Sequence, residues 1–161
     1  MEFSDSVGTP LNDGLAFVHN ALVGANVRDG IRLIASGKVN TGFQIATKVA
    51  LGADMCNAAR AMMFALGCIQ ALRCHTNTCP TGVTTHNPRL QRGLVVEEKF
   101  LRVANYATNM NKEIDMIAHS CGVRHARELE RRHVRLVQPT GGTIALDVLY
   151  PTPAQAVRRG A

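Results

Sequence analysis

Aromatic residues are scarce in this 161-residue chain, at 4% in all, with no Trp and two Tyr. A surface that stacks nucleobases needs several such rings, so a single-strand nucleic-acid platform is poorly supplied. Long apolar runs are missing too: stretches such as Ala61 to Leu66 fall well short of the roughly 20 residues a membrane-spanning helix requires. No charged leader with a small-residue cleavage site opens the sequence, which makes the cytoplasm the expected compartment. Internal repeats and low-complexity tracts are also absent.

What is present suits one globular domain, because 46% hydrophobic residues are enough to bury a core. The net charge of +6 draws on Arg124, Arg127, Arg131, Arg132 and Arg135, interleaved with Glu128 and Glu130. Acids within one turn of the bases predict a solvated helix rather than a nucleic-acid footprint. Five cysteines in a cytosolic context point to cofactor ligands or buried apolar groups, not disulfides. Cys56, in an expected strand, and Cys121, at an expected helix end, read as packing groups. The other three are clustered.

Apolar spacing predicts a helix over Leu11 to Ala25, then a buried strand at Ile31 to Ala35 that ends at Ser36-Gly37. A second helix is expected from Thr41 to Leu51 with Gly52 as its left-handed cap, a second buried strand over Ala53 to Asn57, and a third helix from Ala58 to Ala71. Strands alternating with helices over short connections imply parallel pairing and an α/β architecture. Between Arg73 and Gly93 the texture turns to Cys, His, Asn, Thr, Pro and Gly, a long loop in which Pro80, Gly82 and Pro88 argue against helix. Helical spacing resumes from Leu94 to Ser120, capped by Cys121-Gly122. A short helix over Arg124 to Arg132, a strand over Val134 to Val137 and a Pro-containing tail complete the reading.

The loop begins Cys68-Ile-Gln-Ala-Leu-Arg-Cys74-His-Thr-Asn-Thr-Cys79-Pro80. Three thiolates this close in sequence, the first at a helix end and the others on an irregular loop, suit an iron–sulfur cluster or zinc. Zinc favours four ligands and shorter Cys pairs, and its fourth ligand would be His75, His86 or Cys121. Three ligands suit a cluster lacking one iron. His75 is assigned to loop hydrogen bonding, and His19, His119, His125 and His133 to structural roles.

A second constellation is a strand ending in Ser36-Gly37-Lys38, a helix, and a strand ending near Ala58-Ala59-Arg60. Loops after the last two strands of a (β/α)8 barrel often hold a phosphate against a helix N-terminus. Small residues allow close backbone approach, and Lys38 and Arg60 supply positive charge unless they are simply solvated.

Together these residues resemble the FMN-binding synthase domain of the glutamate synthase large subunit family. The likeness rests on Leu33 to Lys38, Thr41-Gly42, Leu51 to Asp54, Ala65 to Cys68 and, above all, Cys74-His-Thr-Asn-Thr-Cys79-Pro-Thr-Gly82-Val83. It implies a 3Fe-4S cluster on Cys68, Cys74 and Cys79, and FMN held near Ser36, Gly37, Lys38, Ala59 and Arg60. It further implies reductive formation of L-glutamate from 2-oxoglutarate and ammonia or glutamine, with electrons from a donor subunit or ferredoxin. The family's Gly-Gly and Gly-Thr pairs are replaced here by Gly37-Lys38 and Ala59-Arg60, exchanging backbone recognition of phosphate for a charged side chain. No catalytic residue is assigned.

The expected architecture is thus the C-terminal part of a (β/α)8 TIM barrel, its last two βα units, with an iron–sulfur loop at 68–93 and C-terminal helices. Residues 1–137 form this portion, and 138–161 a tail with a short strand or an extension into another domain. A full barrel takes about 250 residues, so the N-terminal part of the barrel is an expected partner and the isolated chain is expected to be inactive. The alternative is a zinc- or cluster-stabilised interaction subunit without its own catalysis.

Overall fold

Leu11, Leu15 and Ala16 recur on one face of helix α1, Leu11–Gly24, where Leu15 and Ala16 are buried. The computed structural model describes residues 7–153; Met1 to Ser6 of the polar opening and residues 154–161 of the tail lie outside the described residues. A 3-10 turn at Arg28–Gly30 leads into strand β1, Ile34–Ser36. Helix α2, Gly42–Ala50, starts where the Thr41 hydroxyl accepts the Gln44 N–H, and it stops at Gly52, whose φ of +112° only glycine adopts readily.

Strand β2, Met55–Asn57, pairs parallel with β1, matching Ile34 with Met55 and Ser36 with Asn57. The two strands joined through α2 are the expected α/β unit. Helix α3, Ala59–Leu66, follows at once, and Gly67 at φ +107° ends it. Short α4, Pro88–Gln91, precedes α5, Val96–Ser120, which lies across α2 and α3 and buries Met110, Ile114 and Ala118. The last elements are β3, Arg135–Val137, antiparallel β4, Thr143–Ala145, and α6, Leu146–Leu149. The core gathers Leu15, Ala35, Ala46, Leu51, Leu129, Val134 and Leu146 from both halves.

Four expectations need correction. The parallel strands are not buried: Ala35 is, but Ile34 and Met55 are 54% and 47% exposed, since a two-stranded sheet leaves alternate side chains open. The third helix ends at Leu66, not Ala71, so Cys68 sits beyond it in the loop. Pro88 opens a helix instead of preventing one, because the first helical position needs no N–H and Asn87 caps the Arg89 N–H.

The fourth concerns Arg124 to Arg132, which forms no α-helix. Two 3-10 turns stand there, Ala126–Glu128 and Arg131–His133; the His125 ring accepts the Arg127 N–H at the first, and the His133 ring accepts the Glu130 N–H at the second. The physical cause is Arg131, which points inward and is only 5% exposed. Its guanidinium donates to the Tyr150 carbonyl at 2.6 Å, the Asn20 side-chain oxygen at 2.8 Å and the Leu51 carbonyl at 3.4 Å. One cation thereby ties α1, the end of α2 and the end of α6, and a solvated helix could not do this.

Candidate functional site

The segment from Gly67 to Asn87 is irregular yet heavily hydrogen-bonded, and oxygen atoms do most of the bonding. The Thr85 hydroxyl donates to the Asn77 carbonyl at 2.7 Å and accepts the Asn87 N–H at 3.1 Å. The Asn77 side-chain oxygen accepts the His86 N–H at 2.6 Å, and the Gln91 amide donates to the Thr85 carbonyl. Asn77 itself adopts φ +60°, a conformation Asn tolerates better than most residues. These bonds fasten the Cys74–Cys79 stretch to α4.

Within this frame Cys68 is half-buried and its sulfur accepts the Gln70 N–H at 3.5 Å. Cys74 is exposed on a cleft of about 510 Å³ that His75, Thr84 and His86 also line. Cys79 is buried at 9% exposure. The Thr81 hydroxyl lies 3.3 Å from its sulfur. That hydroxyl and the backbone at Thr84, working against burial, bring the Cys79 thiol down to about 6. The Thr84 hydroxyl is buried and has no hydrogen-bond partner among the described residues.

Among the described residues no three His, Cys, Asp or Glu side chains converge as the ligand set of a single metal ion. The chemistry of the donor set nevertheless fits a thiolate-bound group, because the thiolate is the ligating species and Cys79 is held in that form near neutral pH. Cys121 caps α5 and packs against the core, as does half-buried Cys56 in β2, whose thiol burial pushes up. His75 is exposed, and its ring makes no hydrogen bond among the described residues, contrary to the role expected of it.

The two helices that follow the parallel strands begin differently. At α2 the first turn is already satisfied: the Thr41 hydroxyl holds the Gln44 N–H and the Glu113 carboxylate accepts the Gly42 N–H at 2.6 Å. At α3 no side chain caps the helix, Ala58 is its N-cap, the first turn carries no acid, and Ala59 and Arg60 are exposed. The N–H groups of such a turn have no intrahelical acceptor and favour an anion. Register places the ends of β1 and β2 side by side, bringing Ser36-Gly37-Lys38 next to Ala58-Ala59-Arg60. Gly37 has φ +146° and Lys38 φ +52°, so the backbone turns sharply there. The corner therefore suits a phosphate at α3 rather than at α2.

Sequence reasoning missed Thr81, Thr84, Thr85 and Asn77. Their signal was the density of Thr and Asn around Cys79, each able to hydrogen-bond locally.

The chain is similar to known proteins over most of its length. The conserved region in glutamate synthase matches residues 1–124. The glutamate synthase large subunit-like protein YerD of Bacillus subtilis is 42% identical over 148 residues, 92% of this chain and 28% of its own length. The glutamate synthase (NADPH) large chain of Azospirillum brasilense is 33% identical over 149 residues, 92% of this chain and 10% of its own. A ferredoxin-dependent glutamate synthase of Cyanidium caldarium is 38% identical over 116 residues, 71% of this chain and 7% of its own. The chain thus spans 28% or less of the length of these curated relatives.

Proposed function

This chain belongs to the glutamate synthase family of oxidoreductases, and from that premise we propose that it is the C-terminal portion of an FMN-binding synthase domain with its iron–sulfur loop. In this reading β1, α2, β2 and α3 are the last two βα units of a (β/α)8 barrel whose other units come from the rest of the enzyme. Cys68, Cys74 and Cys79 hold a 3Fe-4S cluster. Ser36, Gly37, Lys38, Ala59 and Arg60 hold the FMN phosphate.

When bound, the two groups supply the electron transfer for reductive formation of L-glutamate from 2-oxoglutarate and ammonia or glutamine-derived ammonia. The chain's own residues bind, orient and tune. Thr81 and Thr84 stabilise negative charge on the Cys79 sulfur, and the Asn77–Thr85 bonds fix the loop that carries Cys74. At α3 the uncapped first-turn N–H groups, with Arg60 beside them, would meet the phosphate, while the Glu113 carboxylate already occupies the first turn of α2. Relatives are named for NADH, for NADPH and for ferredoxin, which supports an electron-donor subunit or ferredoxin as the source of electrons. No helix among the described residues is long and apolar enough to cross a membrane.

The single observation that carries the cluster assignment is Cys79: buried on an irregular loop, with the Thr81 hydroxyl 3.3 Å from its sulfur. Anaerobic purification of the full chain followed by metal analysis tests it. About three irons per chain with visible absorbance are expected from the 3Fe-4S reading. A colourless protein with one zinc per chain would establish the zinc-stabilised alternative instead.

A further inference from the structure

Thr81 lies in a backbone turn next to Cys79. The Gly82 N–H donates to the Cys79 carbonyl at 3.3 Å, closing a turn that carries the Thr81 side chain back over the Cys79 sulfur. Gly82 adopts φ +80°, and a side chain there would meet the Leu90 carbonyl oxygen at 2.3 Å, so the turn is locked from the other side by α4. The result is an O–H 3.3 Å from a buried sulfur.

An O–H aimed at a ligating sulfur does something specific. Adding an electron to an iron–sulfur cluster increases the negative charge its sulfurs share, and a hydrogen-bond donor stabilises that state more than the oxidised one. Serine keeps this donor, whereas valine keeps the branched shape and loses it. Burial strengthens the effect, because little water competes for the sulfur.

We propose that Thr81 is a positioning residue whose hydroxyl donates to the Cys79 sulfur and raises the reduction potential of the cluster ligated there. This rests on the cluster reading above. The backbone N–H bonds of such loops are fixed by the fold, but this bond is made by a side chain, so a single substitution alters it without rebuilding the loop.

The test is an anaerobic potentiometric titration of the cluster-loaded full chain, adding one electron per cluster from dithionite and following the oxidised signal by electron paramagnetic resonance. T81V is expected to shift the midpoint to more negative potential with iron content unchanged, and T81S to restore the wild-type value. T81A replaces T81V in the titration if the valine variant does not retain iron. A midpoint unmoved in the hydroxyl-free variant, or moved equally in T81S, overturns the proposal. Wild-type chain that holds no iron would instead overturn the cluster reading itself, so the two failures are distinguishable.

Discussion

The carboxylate of Glu113, in the middle of α5, accepts the N–H of Gly42 at 2.6 Å and so places its charge at the first turn of α2. Contact is so close that a Cβ on Gly42 would lie 2.8 Å from both Cβ and a carboxylate oxygen of Glu113. Replacing Glu113 by Ala is expected to cost about 1 kcal/mol through the lost cap. Gly42→Ala is expected to cost about 1–3 kcal/mol through crowding. Because one contact underlies both, the double variant should lose less than the sum in urea denaturation. Additive losses would show that the two residues act independently.

Gly82 offers a second steric prediction, this time at the cysteine loop. Its positive φ, and a Leu90 carbonyl oxygen that would stand 2.3 Å from an added Cβ, leave no room for alanine. Gly82→Ala is expected to destabilise by about 2 kcal/mol or more and to lower the iron bound per chain. Wild-type iron content and denaturation midpoint in this variant would contradict the locked turn.

Arg131 should prove hard to replace. Methionine keeps its length but strands three oxygen acceptors on Asn20, Leu51 and Tyr150. A loss of about 2–4 kcal/mol is expected for unpaired buried groups. Lysine should recover little, since its compact ammonium cannot span the guanidinium's several directions. A change below about 0.5 kcal/mol in either variant, the range of ordinary surface substitutions, would mean that the contacts do not hold the three elements together.

His19 supplies the pH dependence. Burial, then the charges of Arg131 and Arg28, hold its imidazole below the ordinary 6.5. The folded state therefore prefers neutral His19, and this contribution is full above the unfolded value and is lost as pH falls through the lower folded one. Thermal midpoints should decline on acidification below pH 6.5, and His19→Gln should reduce that decline. An identical pH profile in the variant would assign the acid sensitivity to other groups.

The order helix, strand, helix, strand, helix was legible because apolar spacing and Gly52 are local signals that the tertiary structure did not override. Other features were not legible for a shared reason: they depend on what a side chain meets across the fold. Nothing in the run Arg124 to Arg135 distinguishes inward Arg131 from its exposed neighbours, and helical charge spacing favoured the wrong element. Ile34 and Met55 read as buried because composition reports affinity for a core, not whether a third layer covers them. Of the candidate site, the cysteine positions were visible in sequence. The hydroxyls around Cys79 and the carboxylate at α2 were not, because Thr and Glu are common and only their placement is informative.

The Asn77–Thr85 bonds have a consequence for how the loop can change. Between Asn77 and Asn87 its shape is held by oxygen and nitrogen atoms, while its reactivity belongs to sulfur. Form and chemistry are therefore separable: the thiols can be exchanged one at a time for hydroxyls while the scaffold beneath them stays in place, and the scaffold can be weakened without touching a thiol.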